Sequence, residues 1–404
     1  MTESKTKPEI RFAGFTDAWE QRKLGEVAEF SKGYGYSKSD LREVGTPIIL
    51  YGRLYTKFET VISMVDTFTA EKENSVFSKG GEVIVPASGE TADDISRASV
   101  VENAGIILGG DLNVIKPKPT IDPAFLAIIL SNGPQKKELS KRAQGKSVVH
   151  IHNSDLQDVM LVYPKPDEQR LIRTLFGGFD NLITLHQREY DKTVNIKKAM
   201  LEKMFPKDGE DKPEIRFAGF TDAWEQRKAD DIFKTSVDKG YPELPVLSAT
   251  QDKGMIRREE TGISIAHDQK NEATYKRVLP GQFVIHLRSF QGGFAHSNVE
   301  GITSPAYTVL DFVEKYRHYD WFWKYIFSSE SFVKRLETVT YGIRDGRSIS
   351  NDDFSEMKFQ FPSFEEQRGI GETFVTLDHL ITLHQRELEK LQNMKKALLE
   401  KMFV

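Results

Sequence analysis

The 404-residue chain contains no cysteine. That absence excludes a disulfide framework and every thiolate metal site, and it fits a cytoplasmic protein. No run of about 18 apolar residues occurs, and the polar opening MTESKTK shows no cleavable signal pattern. A soluble chain with no membrane partner is expected. Charge of one sign is missing too: the formal balance is −4, which rules out a wholly basic nucleic-acid coat and leaves any DNA contact to local patches. A hydrophobic content of 39% is enough for real cores, so disorder is expected only at the ends.

Catalytic signatures are equally scarce. G-x-G-x-x-G is absent, and Gly145-Lys146-Ser147 resembles the end of a phosphate loop only until Ser140, which stands where the first glycine belongs. The N-P-P-[FY] and D-P-P-[YW] motifs of amino-methyltransferases do not occur. Glu356-Met357-Lys358 behind Asp352 and Asp353 lacks the proline-aspartate element of a nuclease site. His150 and His152 would share one face of a strand, yet no third ligand is near them. The expectation is a noncatalytic chain with no catalytic residue, no metal and no cofactor of its own.

What the chain does have is repetition. KPEIRFAGFTDAWEQRK runs from Lys7 to Lys23 and returns unchanged from Lys212 to Lys228. DNLITLHQRE from Asp180 is answered by DHLITLHQRE from Asp378, and IKKAMLEKMF ending at Phe205 by MKKALLEKMF ending at Phe403. Constant frames thus enclose two unlike inserts, as in a molecule that presents two different heads in one pseudo-two-fold geometry. The boundaries read as an N-terminal segment 1–23, insert 24–163, a helical region 164–206, the repeated segment 207–228, insert 229–361 and a C-terminal helical region 362–404.

Phe12, Phe15 and Trp19, with Phe217, Phe220 and Trp224, are expected to dock each repeated segment onto the lobe that follows. Within the inserts, short apolar runs punctuated by Gly and Pro predict mixed strands and helices. Faint echoes, Pro47–Leu50 with Pro245–Ser248 and Gly81–Val85 with Gly281–Ile285, predict one shared fold. Asp122 and Asp320 each precede an apolar face at helical spacing, as helix-capping residues do. Pro166-Asp167-Glu168 and the capping-box pattern Ser363-Phe364-Glu365-Glu366 then start two long helices.

Those helices carry heptad seams. Phe374, Leu377, Ile381, His384, Leu388, Leu391, Leu398 and Met402 follow three- and four-residue steps, broken at Lys395. Phe176, Phe179, Ile183, His186, Tyr190, Met200 and Met204 match them, weakened at Thr193 and Lys197, and Gly177-Gly178 is a candidate kink. Such seams predict an antiparallel coiled coil about 57 Å long at about 1.5 Å per residue. That exceeds one DNA turn of roughly 34 Å. The fold class is α+β, two globular α/β domains joined by the two helices.

Basic residues recur at matching places, with Lys136-Lys137 and Lys334-Arg335 expected at the end of each insert helix and more cations in the glycine-containing loop that follows. Lys136, Lys137, Lys141, Arg142 and Lys146 in one insert, with Lys334, Arg335, Arg344 and Arg347 in the other, are candidates for phosphate contact. Base reading falls to polar loops where the inserts differ most, Ser88, Thr91 and Arg97 against Arg288, Gln291, His296 and Asn298. Arg can read guanine, and Gln or Asn adenine, through paired hydrogen bonds.

RFAGFTDAWEQRKLGEV at the head of a variable region, a proline followed by EQR within 164–170 and 362–368, and the closing LLEKMF-type helix resemble the specificity subunit of type I restriction-modification systems, over nearly the whole chain. The resemblance implies a reader of double-stranded DNA whose inserts are target-recognition domains, one for each half of an asymmetric bipartite site. It implies two adenine-methyltransferase subunits and two restriction subunits as partners, with S-adenosylmethionine, ATP and Mg bound there. The competing reading is a duplicated coiled-coil scaffold for proteins, which accounts for the repeat but not for the divergence of the inserts.

Overall fold

In both halves the strand that ends the repeated phrase pairs with the strand that ends the insert. Glu20–Lys23 runs antiparallel to Met160–Tyr163, and Glu225–Lys228 antiparallel to Lys358–Phe361, so each insert is tied at its neck. The computed structural model describes residues 7–145, 148–207, 209–250, 252–262, 269–286, 293–338, 349 and 351–403. Two units emerge: Met1–Gln187 with Arg386–Val404, and Arg188–Gln385. Each holds one insert, the first stretch of its own long helix and the last stretch of the other.

In the first unit the core sheet has the order Ala28–Lys32, Leu112–Pro117, Glu82–Pro86, Ser99–Val101, Val61–Ile62, antiparallel except at the last strand. Glu82–Pro86 is buried throughout, as a central strand rich in β-branched residues should be. The helix Pro123–Leu130 packs on this sheet, buried nearly all round, and the Asp122 carboxylate accepts a hydrogen bond from the Phe125 N–H at 3.0 Å, as its capping position predicts. The second unit repeats the plan. Phe233–Ser236, Thr308–Phe312, Phe283–Ile285 and Ala295–His296 form an antiparallel sheet in the corresponding order, under a helix Asp320–Phe327. Gly81 and Gly281 turn into the central strands at φ +91° and +85°, a conformation that favours glycine. The cores differ in substance: the first is aliphatic around Val83, Val85 and Ile115, the second aromatic around Phe233, Phe283, Trp323 and Phe327.

The long helices run Pro166–Lys203 and Phe364–Met402, the first continuous through Gly177 and Gly178 rather than broken there. In the first unit Phe176 stacks on Phe403 at 6.0 Å and Asp180 meets Lys395, so the two helical stretches are antiparallel. In the second, Phe374 stacks on Phe205 at 6.0 Å and Asp378 meets Lys197 at 2.5 Å. Lys395 and Lys197, which interrupt the apolar pattern in the sequence, are therefore members of the helix contact. Thr193 is buried there too, its hydroxyl donating to the Glu189 carbonyl.

Two expected helix starts differ in detail. Asp320 is the first helical residue, not the cap, and its carboxylate takes the His296 ring nitrogen at 2.7 Å. The box at Ser363 is half made: the Ser363 hydroxyl accepts the Glu366 N–H at 3.4 Å, but the Glu366 carboxylate is drawn away by the Arg216 guanidinium.

Candidate nucleic-acid interface and its frame

The repeated letters explain themselves once the frame is built. Arg11 donates twice to the Glu168 carboxylate, at 2.7 and 2.8 Å, and Arg216 does the same to Glu366 at the same distances. Both glutamates are 1% exposed, and paired hydrogen bonds to a guanidinium keep a buried carboxylate satisfied. Those bonds also raise the already high pKa of both arginines. The next letter, Gln169 or Gln367, is fully buried. Its amide oxygen accepts the backbone N–H of Asp122 or Tyr319, while its NH2 donates to the carbonyls of Thr120 and Pro164, or Arg317 and Pro362. The EQR element thus fastens the repeated segment and the insert helix to the start of the long helix.

Trp19 and Trp224 lock the same arrangement from the other side. Trp19 lies 6.4 Å from both Phe125 and Phe403; Trp224 lies 5.7 Å from Phe322 and 6.2 Å from Phe205. Trp19 and Trp224, with Phe12 and Phe217 packed partly buried beside them, therefore dock as expected, whereas Phe15 and Phe220 stay half-exposed outside the core clusters; the end of the other long helix completes each cluster, which the sequence did not show.

The basic candidates lie on separate second helices, Gly133–Arg142 and Glu330–Thr338, not at the ends of the insert helices. Lys137 and Lys141, one turn apart and exposed, make no hydrogen bond or ion pair among the described residues. Their neighbours are engaged: Lys136 pairs with Asp93 at 2.8 Å, and Arg142 with Glu138 at 2.8 Å. Lys334 pairs with Glu330 at 2.6 Å, and Arg335 donates to the Lys358 carbonyl while covering the Phe359 ring. Lys146, Arg344 and Arg347 lie outside the described residues, as do Arg288 and Gln291.

Among the base-reading candidates, Thr91 caps the short helix Ala92–Ile95, and Arg97 reaches Asp94 at 3.2 Å. Arg97 and Lys136 line one cavity of about 200 Å³ together with Phe58, Asn132 and Lys395. Ser88 sits in a strand pair with His150, its carbonyl accepting the Tyr55 hydroxyl. Asn298 is exposed. His296 is a correction: it is 3% exposed, its ring wedged between Phe283 and Trp321 with Nε2 on Asp320, so it presents no edge to a base. His152 begins a short helix, and among the described residues no group of three His, Cys, Asp or Glu is placed to hold a metal. Nor is any described helix long and apolar enough to cross a membrane.

The seam candidates face inward to different depths. Phe176, Phe179, Phe374 and Leu388 are buried; Ile183, His186, Leu377, Ile381, His384 and Leu391 are half-buried. Beside the seam each unit exposes an apolar trio: Leu182, Leu185 and Met394 in the first, Leu380, Leu383 and Ile196 in the second, all between 37% and 53% exposed. Each of the six stands one residue ahead of a seam position.

A family model described as the type I restriction modification DNA specificity domain matches residues 16–193. Residues 16–193 are thus similar to the DNA specificity domain of type I restriction-modification systems. It is 20% identical over 415 residues to a putative type I restriction enzyme MjaX specificity subunit of Methanocaldococcus jannaschii, covering 94% of this chain and 92% of that one. The MjaVIII specificity subunit of the same organism is 24% identical over 280 residues, 65% of each chain. In fold, the chain resembles the crystal structure of a type I S subunit from M. genitalium, with a TM-score of 0.61 over 98% of this chain and 99% of that one at 14% identity.

Proposed function

We propose that this DNA sequence-recognition subunit reads an asymmetric bipartite site, the insert 24–163 taking one half and the insert 229–361 the other. The observation that carries the reading is the pairing of identical frame contacts, down to both Arg–Glu pairs, with inserts that share a sheet order but not a core or a surface. A frame held constant around variable heads serves a task in which position is fixed and sequence is not. Phosphate contact falls first to Lys137 and Lys141, since a cation without a protein partner gives up nothing to meet a phosphate.

The long helices act as an antiparallel coiled coil that sets the gap between half-sites and docks two adenine-methyltransferase subunits. Support comes from the exposed apolar trios, which recur at equivalent positions in the two units and so suit two copies of one partner. Chemistry belongs to those subunits and to restriction subunits, with S-adenosylmethionine, ATP and Mg bound there. Exchanging residues 24–163 for the corresponding insert of a relative tests the reading. One half of the methylated motif should change while the other half and the gap persist; change in both halves, or in neither, contradicts it. Native mass spectrometry of the complex with the methyltransferase tests the count of two.

A further inference from the structure

Each long helix carries one aspartate that joins three parts of its unit. Asp180 accepts the Lys395 ammonium on Oδ1 and the Thr60 hydroxyl on Oδ2 at 3.1 Å. Asp378 accepts Lys197 on Oδ1 at 2.5 Å and the Tyr325 hydroxyl on Oδ2 at 2.7 Å. The division of labour is the same in both units: one oxygen for the other long helix, one for the insert. The two hydroxyls come from unrelated places, a residue just before the strand Val61–Ile62 and the insert helix Asp320–Phe327. Inserts that differ elsewhere each place a hydroxyl on the carboxylate oxygen that the lysine leaves free.

An apolar seam alone leaves neighbouring registers of a helix pair close in energy, and a charged pair within it singles one out, because any slip strands both charges. Here the lysines are 23% and 26% exposed on their side chains and the aspartates 34%, so water replaces a lost partner only in part. We propose that Asp180 and Asp378, with Lys395 and Lys197, are positioning residues for DNA recognition: they fix the register of the helix pair and the seat of each insert upon it, and so hold the gap in the DNA site to a single length. The inference rests on the bipartite reading above.

The test maps methylated adenine in cells carrying the methyltransferase with one of three chains: the unaltered chain, one with both pairs made apolar (Asp180→Leu, Lys395→Leu, Asp378→Leu and Lys197→Leu), and one with both pairs swapped (Asp180→Lys, Lys395→Asp, Asp378→Lys and Lys197→Asp). An apolar pair keeps the seam continuous, so folding is preserved while register choice is lost. The expected result is unchanged half-sites in the apolar chain with roughly one site in ten or more at a gap one base pair longer or shorter, and a single gap again in the swapped chain. Loss of methylation in the apolar chain that the swapped chain restores supports the proposal equally. The same single gap at the same level in the apolar chain overturns it, as does loss that the swap does not repair. Failure of the unaltered chain to direct a bipartite motif would count against the functional reading instead.

Discussion

Phe403→Ala should open the first unit and spare the second. Phe403 is 6% exposed, 6.4 Å from Trp19, 6.2 Å from Phe125 and stacked on Phe176, so its removal takes the shared member from a buried aromatic cluster. Truncating a buried Phe costs about 3–5 kcal/mol. At 1.4 kcal/mol per factor of ten, amides that exchange by opening of that unit should speed up by roughly a hundred- to four-thousand-fold. Hydrogen exchange read by mass spectrometry resolves where. Faster exchange is expected in Pro123–Leu130 and in the helix from Pro166 to about Gln187, with Asp320–Phe327 unchanged, because Phe205 fills the matching place in the second unit. Acceleration confined to the last residues would show that the end of the chain is not part of the first core. An equal acceleration in Asp320–Phe327 would refute the division of frame contacts between the units.

Glu168→Ala leaves the half-buried Arg11 with only the Asp17 carbonyl as partner and should cost about 1–3 kcal/mol by denaturant unfolding, whereas Arg11→Met with Glu168→Leu should cost clearly less; equal losses would mean the carboxylate acts only as filler. Burial among Phe312, Trp323 and Phe361 lowers the His318 imidazole from 6.5 to about 4. Because the unfolded chain then binds the proton more readily, stability should fall as pH drops from about 6.5 to 4, by ~3 kcal/mol in full, and His318→Phe should flatten that part of the profile; an unchanged profile in the variant would remove His318 as its source. Lys137→Ala with Lys141→Ala should weaken DNA binding on every sequence alike and lower the log–log salt slope by up to about 1.8. An unchanged slope would take both lysines off the phosphate list.

The repeat, the inserts, the insert helices and the seams were legible because each is written in local spacing. The misreadings share one cause, a distant partner outweighing a local rule. Lys395 and Lys197 look like breaks in an apolar stripe until Asp180 and Asp378, far away in sequence, are set opposite them. Asp320 has the spacing of a cap, and His296 the look of a polar loop residue; they satisfy each other instead, which corrects both at once. Glu366 completes a capping-box pattern but is claimed by Arg216. For the Arg–Glu and glutamine contacts a signal was present, since the letters recur unchanged in both copies, but recurrence alone does not say which letters touch. Loops that read bases leave no periodic trace, and nothing in the chain spells the sequence they select.

The most direct test of two heads on one frame is a genome-wide map of methylated adenine in cells expressing this chain with its methyltransferase, against cells lacking the chain. The account predicts a chain-dependent, asymmetric, two-part motif with one fixed gap. No chain-dependent methylation, with both proteins expressed and soluble, or a continuous motif without a gap, would contradict it.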